Sequence, residues 1–220
     1  MKVSVIGLRG FPGVQGGAEK HGEELYPRLA AMGVEVTVIA RAPYFPPDRR
    51  VGEWHGVRFI YLPAPRSKHL EALFHSWAAA RYVARRRDTT DLVHVHNIGP
   101  ALCLPLLKRA GLKTVLTYHS ANYEHRKWGP VARGILRLGE RVGLRSSAAV
   151  ITMPETVRQR LAARYPAQRL ARIPNGLTRW ERIPPGEAMR RWGLAPGRYF
   201  FTASRFVEGK GLEDLIRAFA

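Results

Sequence analysis

Short, largely β-branched apolar runs alternate along this chain with segments in which apolar residues recur every three or four positions. Residues 2–6, 34–40, 57–61, 92–96, 114–118, 149–152 and 170–174 are such runs and predict strands. Between them Leu70, Leu73, Phe74, Trp77 and Ala84 fall at helical spacing, as do Ile135, Leu138, Val142 and, approximately, Leu144. A further helix is predicted over 18–32, with Pro27 marking a kink or a late start. Strands that alternate with helices specify the α/β class, here a Rossmann-like parallel sheet with helices on both faces. The stripe on the 70–84 helix is expected to pack down on that sheet.

The pattern changes after Pro174-Asn175-Gly176. Residues 1–176 read as one Rossmann-like domain, and 177–197 as a polar connector with a short helix around 187–192. Residues 198–220 begin a new unit: a strand over 199–204, a second glycine turn at Gly209-Lys210-Gly211, and a helix from Leu212. Leu215, Ile216 and Phe219 make an apolar stripe with no following element to cover it, so a second domain, truncated here, is expected.

The first strand runs into Gly7-Leu8-Arg9-Gly10-Phe11-Pro12-Gly13-Val14-Gln15-Gly16-Gly17 and then into a helix. Glycines let a backbone approach a ligand closely. The unpaired N–H groups and positive dipole end of the helix favour an anion there. The layout predicts a phosphate-binding turn.

Charge strengthens that expectation without choosing the partner. The formal net charge is +19, and 29 of the 36 basic residues are arginine, a side chain suited to bidentate phosphate capture. Anionic partners are implied, whether a nucleotide diphosphate, a membrane face or nucleic acid. Nothing but charge favours nucleic acid, and without interleaved surface aromatics on a recognisable scaffold no specific nucleic-acid partner is expected. The only cysteine, Cys103, lies in an apolar stretch, which excludes an internal disulfide and a cysteine zinc site. With no signal-peptide pattern and no apolar run of membrane-spanning length, a cytoplasmic location is expected.

Taken together, Gly16-Gly17-Ala18-Glu19, Gly33-Val34-Glu35-Val36-Thr37-Val38, Asp91-Leu92-Val93-His94-Val95-His96, Thr117-Tyr118-His119, Ile173-Pro174-Asn175-Gly176, and Arg205 with Lys210-Gly211 resemble glycosyltransferase family 4. That family has the GT-B fold, two Rossmann-like domains facing across a cleft, and the opening Ile6-Gly7-Leu8-Arg9-Gly10-Phe11-Pro12 is similar to its rhamnosyltransferase-like branch. The resemblance implies the N-terminal half of a GT-B fold. It also implies transfer of a sugar, with retention, from a nucleotide-diphosphate sugar to a glycan or lipid-linked acceptor in bacterial envelope polysaccharide synthesis.

By the same resemblance His119, Arg205 and Lys210 are catalytic. Gly16, Gly17 and Asn175, again with Arg205 and Lys210, contact the donor, and Glu19 contacts the acceptor. Glu124, Arg126 and Lys127, in a loop over the expected cleft, are further acceptor candidates. Where the family often has aspartates, this chain has Ser120 and Thr178. No Asp-x-Asp pair is present, so neither a metal nor another cofactor is expected, and fixed cations and helix dipoles are left to carry the diphosphate charge. His94 and His96 share one face of a strand and could mimic a metal pair, but buried packing is the preferred reading. An acceptor that is often lipid-linked adds the expectation of peripheral contact with an anionic membrane, through the 70–84 helix and the arginines after it.

The rival reading is an NADP-dependent oxidoreductase. Gly7, Gly10, Gly13 and Gly16 recur every third residue, and Arg41 ends the second strand where it could take a 2′-phosphate. Tyr123 and Lys127 give a Tyr-x3-Lys match, but Gly129 and Pro130 follow at once, whereas that pair belongs on a long helix.

Overall fold

The structure is a computed structural model and describes residues 1–67, 70–124, 128–176, 184, 186–204, 206 and 210–219. Chain contacts divide it into two compact units, Met1–Thr178 and Arg179–Ala220.

The first unit is built on one sheet of eight strands: β1 (Lys2–Ile6), β2 (Glu35–Arg41), β3 (Glu53–Trp54), β4 (Val57–Leu62), β5 (Leu92–His96), β6 (Lys113–Tyr118), β7 (Ala149–Thr152) and β8 (Leu170–Arg172). Their order is β3-β4-β2-β1-β5-β6-β7-β8, parallel throughout except for β3 against β4. That edge hairpin was not legible in the apolar pattern. It turns on His55 and Gly56, whose φ values of 48° and 76° are those of the tight turn that matches strand twist.

Chain direction across the sheet decides where the helices lie. From β1 the chain moves one way to β2, and α1 (Gly17–Ala31) crosses on one face. From β4 it returns past β1 to β5 and continues outward, placing α2 (Glu71–Ala84), α3 (Leu104–Arg109), α4 (Pro130–Ser146) and α5 (Glu155–Arg164) on the other. Two buried clusters match these faces. Val3, Val5, Leu8, Phe11, Tyr26, Val36, Val38 and Phe59 lie on the α1 side; Ile6, Val93, Val95, Leu107, Leu116, Leu144, Val150 and Leu161 lie on the other. Each fully buried Leu or Ile contributes about 1.5–3 kcal/mol relative to exposure.

The period-two alternation of β5 thus sends Val93 and Val95 into the large helical layer and both histidines toward α1. Because β1 lies between β2 and β5, the strand order reverses there, and the carboxyl ends of β1 and β5 flank the crevice in which open α/β sheets bind ligands.

Two local expectations are corrected. Three of the four large apolar residues expected on the 70–84 stripe do not pack on the sheet: Leu70 at the N-cap of α2, Phe74 and Trp77 are exposed, while His75, Ser76, Ala79, Ala80 and Val83 face inward. Small side chains allow a closer approach to the layer beneath, so they win the buried face. On α4 Ile135 and Leu138 are likewise exposed, and Gly139, Glu140, Gly143 and Leu144 are buried. In the second unit residues 199–204 form no strand; the helices there are α6 (Glu187–Arg191) and α7 (Leu212–Phe219). A strand needs a ladder partner, and the described residues of that unit supply none. Phe200 and Phe219 stack edge to face at 5.5 Å, yet both remain exposed.

Candidate active site

The glycine loop leaves β1 at Gly7, whose φ is 103°. A side chain there would run into the carbonyl oxygen of His96, so glycine is what lets the loop cross the end of β5. Leu8 and Phe11 turn inward as buried plugs, and Gly22 on α1 leaves room for both. The rest of the loop is tied by polar contacts. Glu19 Oε1 accepts the Arg9 N–H at 3.1 Å, the Arg9 guanidinium donates to the Gln15 carbonyl at 3.0 Å, and the Arg41 N–H reaches the Arg9 carbonyl at 2.8 Å. The buried Glu19 carboxylate therefore holds the loop against α1.

Gly16 is the N-cap of α1, and no side chain caps the helix. The Glu19 carboxylate lies beside Gly16, where a side chain would collide with its Oε2, but it does not cap the first-turn N–H groups. Gly17 is exposed, and a methyl group added to it would meet nothing within 4 Å. Packing within the unit gives no reason for glycine there; a ligand approaching the helix end would.

Beside that helix end stands a cluster of rings. His119 follows β6 at its carboxyl end and is half-buried, with its Nε2 2.8 Å from Nδ1 of His96. His21, one turn along α1 from Gly17, lies 5.5 Å from the His119 ring and 5.7 Å from the His96 ring. Burial lowers the pKa of His21, while a hydrogen bond with Asn175 acts to raise it. Burial, and then the charge of His21, push the pKa of His119 down to about 4. Below these rings Tyr26, His94 and Thr117 continue the hydrogen-bonded contacts into the protein.

The structure thus brings Gly16, Gly17, His119 and Asn175 of the expected site into one neighbourhood. His21 and Tyr26 were not singled out from the sequence; their spacing of five on α1 gives no helical-face signal, and their positions depend on β5 and β6. Glu124 lies on the surface, paired with Arg160 at 2.9 Å. Lys210 is exposed in the second unit. Arg126, Lys127 and Arg205 lie outside the described residues. Among the described residues no group of three or more His, Cys, Asp or Glu could hold a metal ion. His94 and His96 are spent on each other's neighbours through Tyr26 and Thr117.

The groups that suggested a dinucleotide are committed elsewhere. The Arg41 guanidinium is buried and paired with Glu71 at 3.0 Å, and Tyr44 donates to the same carboxylate at 3.1 Å. Tyr123 donates to Glu140 at 2.8 Å, and burial and that carboxylate hold its pKa above the ordinary value.

An open, doubly wound sheet with a glycine loop, an uncapped helix N-terminus and a partly exposed histidine one strand from its switch point defines a Rossmann-like domain. Its family follows from the sequence: a match to Glycosyltransferase Family 4 covers residues 15–179, and the chain belongs to that family. In structure it is similar to sucrose-phosphate synthase from Thermosynechococcus elongatus, at 20% identity and a TM-score of 0.67 over 88% of this chain and 53% of that one. It is similar also to HepE from Anabaena in complex with UDP and glucose, at 16% identity and a TM-score of 0.54 over 80% and 45% of the two chains. A third similar structure is a UGT transferase from Siraitia grosvenorii in complex with UDP, at 12% identity and a TM-score of 0.53 over 87% and 51%. At such identities the likeness is one of fold, the N-terminal half of a GT-B enzyme, and the chain spans about half the length of these structures. No curated protein matches it in sequence.

Proposed function

We propose that this chain is the acceptor-side part of a retaining, metal-independent glycosyltransferase, of the rhamnosyltransferase-like branch, that transfers a sugar from a nucleotide-diphosphate donor to a glycan or lipid-linked acceptor in envelope polysaccharide synthesis. The observation that carries the reading is the convergence of the uncapped α1 N-terminus at Gly16 and Gly17 with His119, which touches His96 at the end of β5 beside the switch point. The helix end would take diphosphate oxygens and His119 would hydrogen-bond the sugar beside them, so that charge growing on the diphosphate meets a fixed dipole. Arg205 and Lys210 would add positive charge, and residues 198–220 would belong to a donor-binding domain. HepE and the Siraitia enzyme hold UDP, which makes uridine diphosphate sugars the first probes.

The test is a titration of the isotope-labelled chain with a panel of nucleotide-diphosphate sugars, read by amide and imidazole shifts. Movement at Gly16, Gly17 and His119 is expected. No movement at millimolar donor across the panel would count against the reading. Sugar transfer by the 220-residue chain alone is expected to be absent, and NADPH fluorescence should be unchanged by it.

A specific observation also favours peripheral membrane contact. Leu70, Phe74 and Trp77 at α2, with Arg81 and Arg85 further along, and Val131, Ile135 and Leu138 on α4, with Arg137 and Arg141, are exposed on two helices that flank α3 on one side of the sheet. Apolar side chains beside arginines fit an anionic lipid surface. No helix among the described residues is long and apolar enough to cross a membrane. Co-sedimentation with phosphatidylglycerol vesicles, lost with phosphatidylcholine and weakened by salt, is the expected result.

A further inference from the structure

Four side chains from three elements form one continuous hydrogen-bonded chain that ends on His119. Thr117 Oγ1 lies 2.7 Å from His94 Nε2; His94 Nδ1 lies 2.9 Å from Tyr26 Oη; Tyr26 Oη lies 2.5 Å from His96 Nε2; and His96 Nδ1 lies 2.8 Å from His119 Nε2. Thr117, His94, Tyr26 and His96 are all buried, so water cannot repair a mismatched contact. Burial, with smaller contributions from the neighbouring histidines, pushes the pKa of His94 down to about 3 and that of His96 well below its ordinary value. The rings are therefore neutral at pH 7, each with one N–H.

Proton counting then leaves two arrangements. Tyr26 has a single proton, so it donates to one histidine and accepts from the other. If it donates to His96 Nε2, then His94 must donate from Nδ1, His96 must carry its proton on Nδ1, and His119 must accept at Nε2 and carry its own on Nδ1. If it donates to His94 instead, every ring carries its proton on Nε2. The hydroxyl of Thr117 chooses between them. Among the described residues its side-chain partner is His94 Nε2. Donating there satisfies the buried hydroxyl proton, whereas accepting there leaves that proton with no acceptor among the described residues, at a cost of about 1–3 kcal/mol. The closer approach of Tyr26 to His96 than to His94 agrees with a phenol that donates toward His96.

We infer that Thr117, His94, Tyr26 and His96 are positioning residues that lock all three histidines into the Nδ1–H form, so that His119 meets its ligand as a hydrogen-bond donor through Nδ1. The role given to a ligand rests on the functional reading above; the shared tautomer does not. His119 would then hold a sugar or phosphate oxygen and would not abstract a proton at Nδ1. Residues that never touch the ligand would set that polarity.

Histidine-selective ¹⁵N labelling with long-range ¹H–¹⁵N correlation reads each tautomer directly in the ligand-free chain. At pH 7.5 one pyrrole-type Nδ1 and one pyridine-type Nε2 are expected on His94, His96 and His119 alike. Tyr26→Phe should break the agreement, with His119 populating both tautomers, while Tyr118→Phe on the opposite face should leave it intact. Should Tyr26→Phe fail to fold, Thr117→Val serves: it should release the Nδ1–H form, and Thr117→Ser should restore it. Three rings that differ in tautomer, or a shared Nε2–H form, in the unaltered protein would overturn the inference. So would an Nδ1–H form on all three rings that survives Tyr26→Phe or Thr117→Val. Agreement of the rings without any donor binding would sink the functional reading and leave this one standing.

Discussion

Acidification should unfold this protein in a range where most α/β domains are secure, because three histidines are buried neutral. Burial, and then Arg41, lower the pKa of His75 to about 4; burial lowers that of His94 to about 3 and that of His96 well below the ordinary 6.5. Their folded forms refuse a proton that the unfolded chain accepts below pH 6.5, so their contribution is intact above that pH and is lost as pH falls toward the folded values. One unit below 6.5 each histidine costs about 1.4 kcal/mol; these three together cost about 4 kcal/mol and His119, held down to about 4, adds a similar single share, against a typical total stability of about 5–15 kcal/mol. Guanidinium melts at pH 7.5, 6.5 and 5.5 measure this as a falling midpoint at constant slope. His75→Asn should reduce the pH dependence by about one quarter without touching the chain beneath His119. Stability that is flat or rising from pH 7.5 to 5.5 would refute the claim that these imidazoles are held neutral.

Three further outcomes are expected. Glu140 is buried and accepts from Tyr118 at 2.6 Å, Tyr123 at 2.8 Å and Arg164 at 3.0 Å, so Glu140→Ala should cost about 3–5 kcal/mol in chemical denaturation by stranding the Tyr118 hydroxyl. Glu140→Gln keeps an acceptor for both tyrosines and lets the half-exposed Arg164 turn to water, for a cost of about 1–2 kcal/mol; equal losses in the two variants would contradict this account. Gly7→Ala collides with the His96 carbonyl at a left-handed φ and should cost about 3 kcal/mol, read by thermal melting. Gly17→Ala meets open space, so it should keep or raise the melting temperature, by up to about 1 kcal/mol, while weakening nucleotide-diphosphate binding; unchanged binding would remove Gly17 from the proposed site.

Much of the fold was legible before any coordinates. The seven predicted strands of the first unit are present, with bounds that differ by a residue or two at β2, β4, β6 and β8, and the glycine loop does deliver the chain into α1. Runs of β-branched residues report burial on both sides, and that signal is local. The short β3, the six-residue α3 and the weakly amphipathic α5 carried too few periodic positions to stand out. The outward turn of Phe74 and Trp77 was misread because periodicity shows that a helix has two faces and not which one the neighbours leave room for.

The sequence by itself determined the class of domain, the glycine loop that leads into α1 and the His119 position at a strand end, because those follow from short-range pattern and turn chemistry. Which side chains adjoin was decided only by tertiary structure. Tyr26 lies 68 positions from His94, and His96 lies 23 from His119. They meet because β1 lies between β2 and β5, so that Tyr26 on the β1–β2 crossover helix reaches the inward histidines of β5, which adjoins β6. Proton positions in such a chain depend on every member at once, and no run of consecutive residues encodes them.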